Sequence, residues 1–413
     1  MSKQQRRPRW VDSLNAAARN LGAGAASVVS LDEADILRAA ADASGSSDFG
    51  DPWFREPLGI LLRALQEEAE LTLLGRIFAR TEIQRALQNR LAIESTYRAH
   101  PEIADERIDA PFFITGLGRS GTTLLHELFA CDPRNRMPLQ WELMYSVPPP
   151  ETATYETDPR IDRVRTEISL REDADPAFPS MHQLAADQPT ECIYLFNHQC
   201  ASEMFLGEFF VPSYALWLAG RDWHPLYDYH QRILKLLQWR KPGERWVLKA
   251  PSHLSHLPAL LDVYPDARIV MMHRDPLRVL GSLTNLIATL QRMRSDQPIF
   301  EGTAEMMSAG FAAILDRVIE QRASGAVDDS RVIDVRYADL VADPLSATRR
   351  IYSFLDIAWS ADTEQQMSHY LAARRHGERT GHVYDFAATG LDRDRQREQY
   401  ETYMAHYDVP LEV

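Results

Sequence analysis

The chain has 413 residues, is 45% hydrophobic and carries a formal net charge of −14. That length and apolar content suffice for a sizeable buried core in one large domain or two modest ones. The acidic balance excludes general nucleic-acid binding, which needs a basic footprint, but not a small anionic ligand, for which a local cationic pocket is enough.

The chain has three cysteines, Cys131, Cys192 and Cys200, with no CxxC pair. An odd, small number argues against a disulfide framework and fits a reducing cytoplasm. The basic start, Met1 to Arg9, is not followed by a signal-peptide core. No run approaches the about 18 apolar residues of a membrane span, so any membrane contact is expected to be peripheral.

Residues 1–108 read as a helical cap or arm without chemistry of its own. Leu31-Asp32-Glu33-Ala34-Asp35 is a helix start, residues 43–57 are loop-like, and Leu58 to Ile93 carries apolar residues at helical spacing. Amphipathic helices here would also suit a homodimer contact. From 109 the pattern alternates. Strands are predicted at Phe112–Thr115, Trp246–Lys249, Arg268–Met272 and Arg331–Val335. Helices are predicted at Thr122–Ala130, Leu254–Val263, Leu277–Arg294 and Leu345–Phe354, with another around Phe311 to Arg322. Short apolar strands separated by helices predict an α/β fold, with a mostly parallel sheet covered on both faces. Ligands in such sheets bind at the C-terminal strand ends. Residues 151–242 are less regular and rich in aromatics, among them Phe178, Tyr194, Phe205, Tyr214 and Trp223. They read as core or, as a group, as the lining of an apolar acceptor pocket inserted into the 109–413 domain.

The first chemical signal is Phe112-Phe113-Ile114-Thr115-Gly116-Leu117-Gly118-Arg119-Ser120-Gly121-Thr122-Thr123. A buried strand enters a Gly-rich turn that opens into a helix. Backbone N–H groups then converge on one point, where the helix N-terminus adds partial positive charge, as a phosphate or sulfate requires. Gly116 to Gly121 has the GxxxxG spacing, but Thr122 stands where an ATP-binding P-loop has its lysine, and the cation is Arg119, inside the loop. Read locally, Gly118 and Gly121 also serve as plain turn residues. The second signal is Arg268-Ile269-Val270-Met271-Met272-His273-Arg274-Asp275-Pro276, with Ser282 on the helix that follows. Arg274 and Ser282 can supply a guanidinium fork and a hydroxyl to one anion. Alone, Arg274 reads equally well as an ion-pair partner of Asp275.

Together the two anion motifs resemble the sulfotransferases that use 3′-phosphoadenosine 5′-phosphosulfate (PAPS). The turn resembles that family's 5′-phosphosulfate loop, and the Arg274–Ser282 spacing its 3′-phosphate motif. Arg336-Tyr337-Ala338-Asp339-Leu340-Val341-Ala342-Asp343-Pro344 looks like its Tyr-x-Asp-Leu…Asp-Pro stretch. Trp246-Val247-Leu248-Lys249-Ala250-Pro251-Ser252-His253 resembles the strand-end Lys-(x)-Pro-x-His of its bacterial branch. The resemblance covers about 109 to 400 and implies a P-loop-like three-layer α/β/α fold behind an N-terminal helical region.

It also implies transfer of a sulfuryl group from PAPS to a hydroxyl of an alcohol, phenol or lipid-like acceptor, leaving adenosine 3′,5′-bisphosphate. Arg119 then stands where the family often has lysine and bridges the leaving phosphate and the moving group. Gly118, Ser120, Gly121, Thr122 and Thr123 cradle the 5′-phosphate, Arg274 and Ser282 hold the 3′-phosphate, Tyr337 belongs to the nucleotide site, and Lys249 adds charge. No Mg²⁺ is needed by this arrangement. Two residues compete for the base, Glu142 in Pro138-Leu139-Gln140-Trp141-Glu142 and His253, with Glu191 a third candidate. Each has a structural reading too: Glu142 as partner of Arg134 or Arg136, His253 as a helix cap. Arg379 or His382, in the loop His376 to Tyr384, would lie near the 3′-phosphate or on a plain surface loop. His253 and His256 have no cysteine or carboxylate in local ligand spacing, so no metal is expected. The alternatives are a P-loop small-molecule kinase, which requires a lysine directly after Gly121, and a catalytically silent nucleotide-binding scaffold.

Overall fold

The computed structural model describes residues 7–20, 24–296, 300–376 and 386–412. Five strands form one sheet: β1 (Phe112–Gly116), β2 (Asn135–Arg136), β3 (Arg245–Lys249), β4 (Arg268–His273) and β5 (Val332–Arg336), in the order β2-β3-β1-β4-β5. Every pairing is parallel. Phe112 lies between Val247 and Arg268, and His273 pairs with Arg336. Four strands fall within one residue of the predicted runs. The fifth, β2, has two residues and is too short to show a period.

The strands alternate between two cores, as the two-residue pleat dictates. Phe113, Leu248, Ile269 and Met271 face one, and Phe112, Ile114, Val247, Val270 and Met272 the other. The second core is closed by the helix Thr122–Ala130, through Leu125, Leu128 and Phe129, and by the helix Pro344–Phe354, through Ile351 and Tyr352. The first lies under the helices His224–Gln238, Leu257–Val263, Pro276–Arg292 and Phe300–Ala323. The result is helix, sheet, helix. Because all strands run one way, their C-terminal ends share one edge. After β1 the chain leads to β3 on one side and later to β4 on the other, so a crevice opens at the end of β1.

Residues ahead of the sheet are helical, as expected. Asp32 accepts from the Asp35 amide (2.9 Å) and starts the helix Glu33–Ser44, which Gly45 ends in the left-handed region at φ 64°. The predicted stretch from Leu58 to Ile93 divides into Arg55–Glu67 and the 27-residue Leu73–Ala99. The break comes where Thr72 Oγ1 accepts from the Gly75 amide and caps the second helix. Leu58, Leu62, Ile83 and Leu91 from these helices share the first core with Phe196, Leu234, Tyr400 and Val409. A buried charge cluster adds a second bond: Glu82 on the long helix and Glu208 pair with Arg171, which follows from the helix Pro159–Ala174, and Glu208 also pairs with Arg294 at 2.9 Å. Among the described residues no helix is long and apolar enough to cross a membrane.

Candidate active site

At the end of β1 the backbone makes the predicted sharp turn. Gly116 and Gly121 have φ of 143° and 95°. A Cβ on Gly121 would lie 2.7 Å from the Tyr337 ring, so this position requires glycine for space as well as conformation. Arg119 sits between them with φ 68°, a left-handed value that costs a non-glycine residue about 1–3 kcal/mol and has to be held by its surroundings. The holding group is Arg274, whose Nη1 donates to the Arg119 carbonyl at 2.7 Å. Gly121 then caps the nine-residue helix Thr122–Ala130. Ser120 is fully buried and its Oγ has no hydrogen-bond partner, while Thr122 is buried and Thr123 exposed. An orphaned buried hydroxyl beside a helix N-terminus, in a turn that admits no extra Cβ, fits an anionic group in the crevice.

The second anion motif meets the first at Arg119. Arg119 Nε donates to Ser282 Oγ (3.2 Å) and Nη1 to the Met181 carbonyl (3.2 Å). Arg274 lies with its guanidinium 3.9 Å from the centroid of Tyr337, and Tyr337 is the ring that closes over Gly121. The predicted pair Arg274–Asp275 does not form. Asp275 caps the helix Pro276–Arg292 and takes Arg397 at 2.7 and 2.8 Å. Arg274 instead donates through Nε and Nη2 to Glu412, both at 2.8 Å.

Lys249, the last residue of β3, is buried and its Nζ lies 2.6 Å from Glu191 Oε1. His182 joins this group. Burial drives its imidazole down to about 4, with Glu191 opposing and Lys249 and Arg119 reinforcing the shift, so all three charges act on one ring. Burial likewise raises the Glu203 carboxyl to about 7, helped by the neighbouring Glu191 charge. Neither His182 nor Glu203 was among the sequence candidates. Both lie in the irregular segment, where no local period or motif marks them.

The two leading candidates for the base are elsewhere. Glu142 has no exposed surface. Its carboxylate pairs with Arg136, accepts from Tyr155 OH (2.9 Å) and the Leu139 amide (2.8 Å), and so caps the start of the short helix Gln140–Met144. All its acceptor capacity is spent on structure. His253 is also fully buried, in the turn after β3, with Nδ1 3.0 Å from Tyr227 OH and Phe113 edge-on at 5.0 Å. Burial holds it well below the usual histidine range. His256 is not solvent-facing but stacks on Trp223 at 3.8 Å. Of the three candidates, Glu191 alone combines exposed surface with a place beside Lys249. The aromatics of the 151–242 segment are mostly core: Phe178, Phe205, Tyr214 and Trp223 are all buried, and Tyr194 is partly exposed. Arg379 and His382 lie outside the described residues.

Residues 111–361 match the sulfotransferase family. The chain belongs to that family. The sulfotransferase fold extends over nearly the whole chain. Sulfotransferase STF9 from Mycobacterium avium superposes with a TM-score of 0.84 at 30% identity, covering 92% of this chain and 97% of that one. Sulfotransferase STF1 from Mycobacterium tuberculosis H37Rv does so with a TM-score of 0.80 at 32% identity, covering 90% and 98%. The omega-hydroxy-beta-dihydromenaquinone-9 sulfotransferase Stf3 of Mycobacterium bovis is 28% identical over 254 residues, which span 60% of this chain and 63% of that relative's length. The same figures hold for Stf3 of Mycobacterium tuberculosis. The three-layer P-loop-like architecture expected from the motifs is therefore the fold of this chain.

Proposed function

We propose that this chain transfers a sulfuryl group from PAPS to a hydroxyl of a hydrophobic, lipid-like acceptor. The observation that carries the reading is the meeting of the two anion motifs on Arg119, beside the Lys249–Glu191 pair. When bound, PAPS supplies an activated sulfuryl group on a phosphate leaving group. The chain positions it. Gly118 to Thr123 and the helix N-terminus hold the 5′-phosphate side, and Arg274, Ser282 and Tyr337 the 3′-phosphate side. Arg119 stays protonated throughout. It stabilises charge on the leaving oxygen and gives it no proton. Lys249 adds positive charge and orients Glu191. Glu191 takes the acceptor's hydroxyl proton as the acceptor oxygen bonds to sulfur and the sulfur–oxygen bond to the leaving phosphate breaks. Glu142 and His253 support this machinery from behind without touching it.

Family membership and Thr122 in the lysine position speak against the kinase reading. A hydrophobic acceptor is supported by the menaquinone-derived substrate in the name of Stf3. We place the reaction in residues 109–413, with 151–242 shaping the acceptor side, in the cytoplasm and without Mg²⁺. Calorimetry with adenosine 3′,5′-bisphosphate tests the donor half: micromolar, Mg²⁺-independent binding is expected, and no binding by folded protein defeats it. Labelled-donor turnover on hydroxylated isoprenoids tests the rest. Glu191→Gln should lower kcat about 10²–10⁴-fold at unchanged nucleotide affinity; an unchanged kcat removes Glu191 from the role. Nucleotide binding with no turnover on a broad acceptor panel would favour the silent scaffold.

A further inference from the structure

Behind the Lys249 strand end, three side chains that the transfer reaction does not use converge in the core. Cys192, His230 and His253 are all buried, and one ligand atom from each lies within 4.8 Å of the other two. They come from three separate places: the start of the short helix Ile193–Phe196, the helix His224–Gln238, and the turn Pro251–His256.

The two imidazoles are wired alike. His253 Nδ1 lies 3.0 Å from Tyr227 OH, and His230 Nδ1 lies 2.7 Å from Tyr264 OH. In both rings Nε2 is buried and without a hydrogen-bond partner. A buried polar atom left unmatched costs about 1–3 kcal/mol, and two at one point double the charge against the fold. With the tyrosine oxygen accepting from Nδ1–H, the ring takes the tautomer that leaves a lone pair on Nε2. That is how a second layer orients imidazoles toward a metal. The rings of Phe113 and Phe196 pack against both imidazoles, and the Tyr227 and Tyr264 hydroxyls are already engaged by their Nδ1 atoms.

We propose that Cys192, His230 and His253 bind one Zn²⁺ ion. One sulfur and two imidazole nitrogens suit a soft-to-borderline divalent ion. On binding, the Cys192 sulfur bonds to zinc and its proton passes to solvent, since only the thiolate ligates. The ion is structural. The Cys192 amide donates to the Lys249 carbonyl at 2.8 Å, and Glu191 precedes Cys192. Zinc would therefore fasten the segment bearing Glu191 to the strand end bearing Lys249. Each element would be held to the other without contact with the reacting atoms.

The test uses the full chain, produced without a polyhistidine tag and never exposed to chelator, analysed by mass spectrometry for metals. About one zinc per chain is expected, falling to near zero in Cys192→Ser and His230→Gln. Retained binding of adenosine 3′,5′-bisphosphate reports that the variants are folded. Protein produced in cobalt-supplemented medium should show a thiolate-to-cobalt charge-transfer band, which covers the case of variants that fail to fold. Metal-free, folded, wild-type protein, or a crystal structure with water alone between the three side chains, overturns the proposal. So does stoichiometric metal that survives the Cys192→Ser change, or cobalt protein lacking the band.

Discussion

Arg119 and Glu142 show how differently two charged residues of one motif region are used. Arg119 is exposed, strained and connected to Ser282 and Arg274; Glu142 is sealed against Arg136. Replacing Arg119 by Ala should lower kcat about 10²–10³-fold, the scale of losing one charge-stabilising donor. Arg119→Lys should restore most of it, because lysine keeps the charge. A lysine variant as dead as the alanine one would mean that the fork, not the charge, is needed. Glu142→Ala should instead cost about 3–5 kcal/mol in urea unfolding, since Arg136 is left buried without its partner. Full stability with lost turnover would return Glu142 to the chemistry. The Gly-rich turn was legible in the sequence because its geometry is local: spacing, a strand before and a helix after. The base was not. Glu142 and His253 were read from motif position, and burial, which decides whether a carboxylate or imidazole can reach a substrate, is a property of the folded chain. His182 becomes relevant only because Arg119, Lys249 and Glu191 gather around it.

At the scale of elements, the strand end of β4 and the C-terminal segment are joined. Glu412 holds Arg274 by two nitrogens, and its own amide donates to Asp275 at 2.9 Å. The group expected to read a 3′-phosphate therefore already carries a carboxylate. Glu412→Gln should tighten adenosine 3′,5′-bisphosphate binding about fivefold, the worth of a partly exposed ion pair. Adenosine 5′-phosphosulfate, which lacks the 3′-phosphate, should be unaffected. Equal changes for both, or none, would show that the phosphate sits on another part of the Arg274 fork. The strands and the helices beside them were readable because short apolar runs and 3.6-residue periods are written locally. The C-terminal contact was not, because 138 residues separate its partners. The same applies to Cys192, His230 and His253: local ligand spacing gave no cysteine near His253, and the fold supplied one.

For the whole molecule the cap is the instructive part. Read by composition it is an arm; among the described residues its apolar side chains sit in cores shared with later segments. Its Leu62, Ile83 and Leu91 share one apolar cluster with Phe196, Leu234 and Tyr400. A fragment of residues 109–413 should therefore lack a cooperative unfolding transition and aggregate or bind hydrophobic dyes. A sharp transition in calorimetry would show that the sheet and its helices stand alone.

That shared core also sets an order of events at the ribosome. The cap helices are made first, but their apolar faces are covered only when segments made much later, some as late as Tyr400 and Val409, come to lie in the same cluster. At roughly 5–20 residues per second this interval lasts on the order of tens of seconds. Through that time the cap helices cover part of their apolar surface on one another, and the yield in a cell depends on what shields the rest until the last turn arrives.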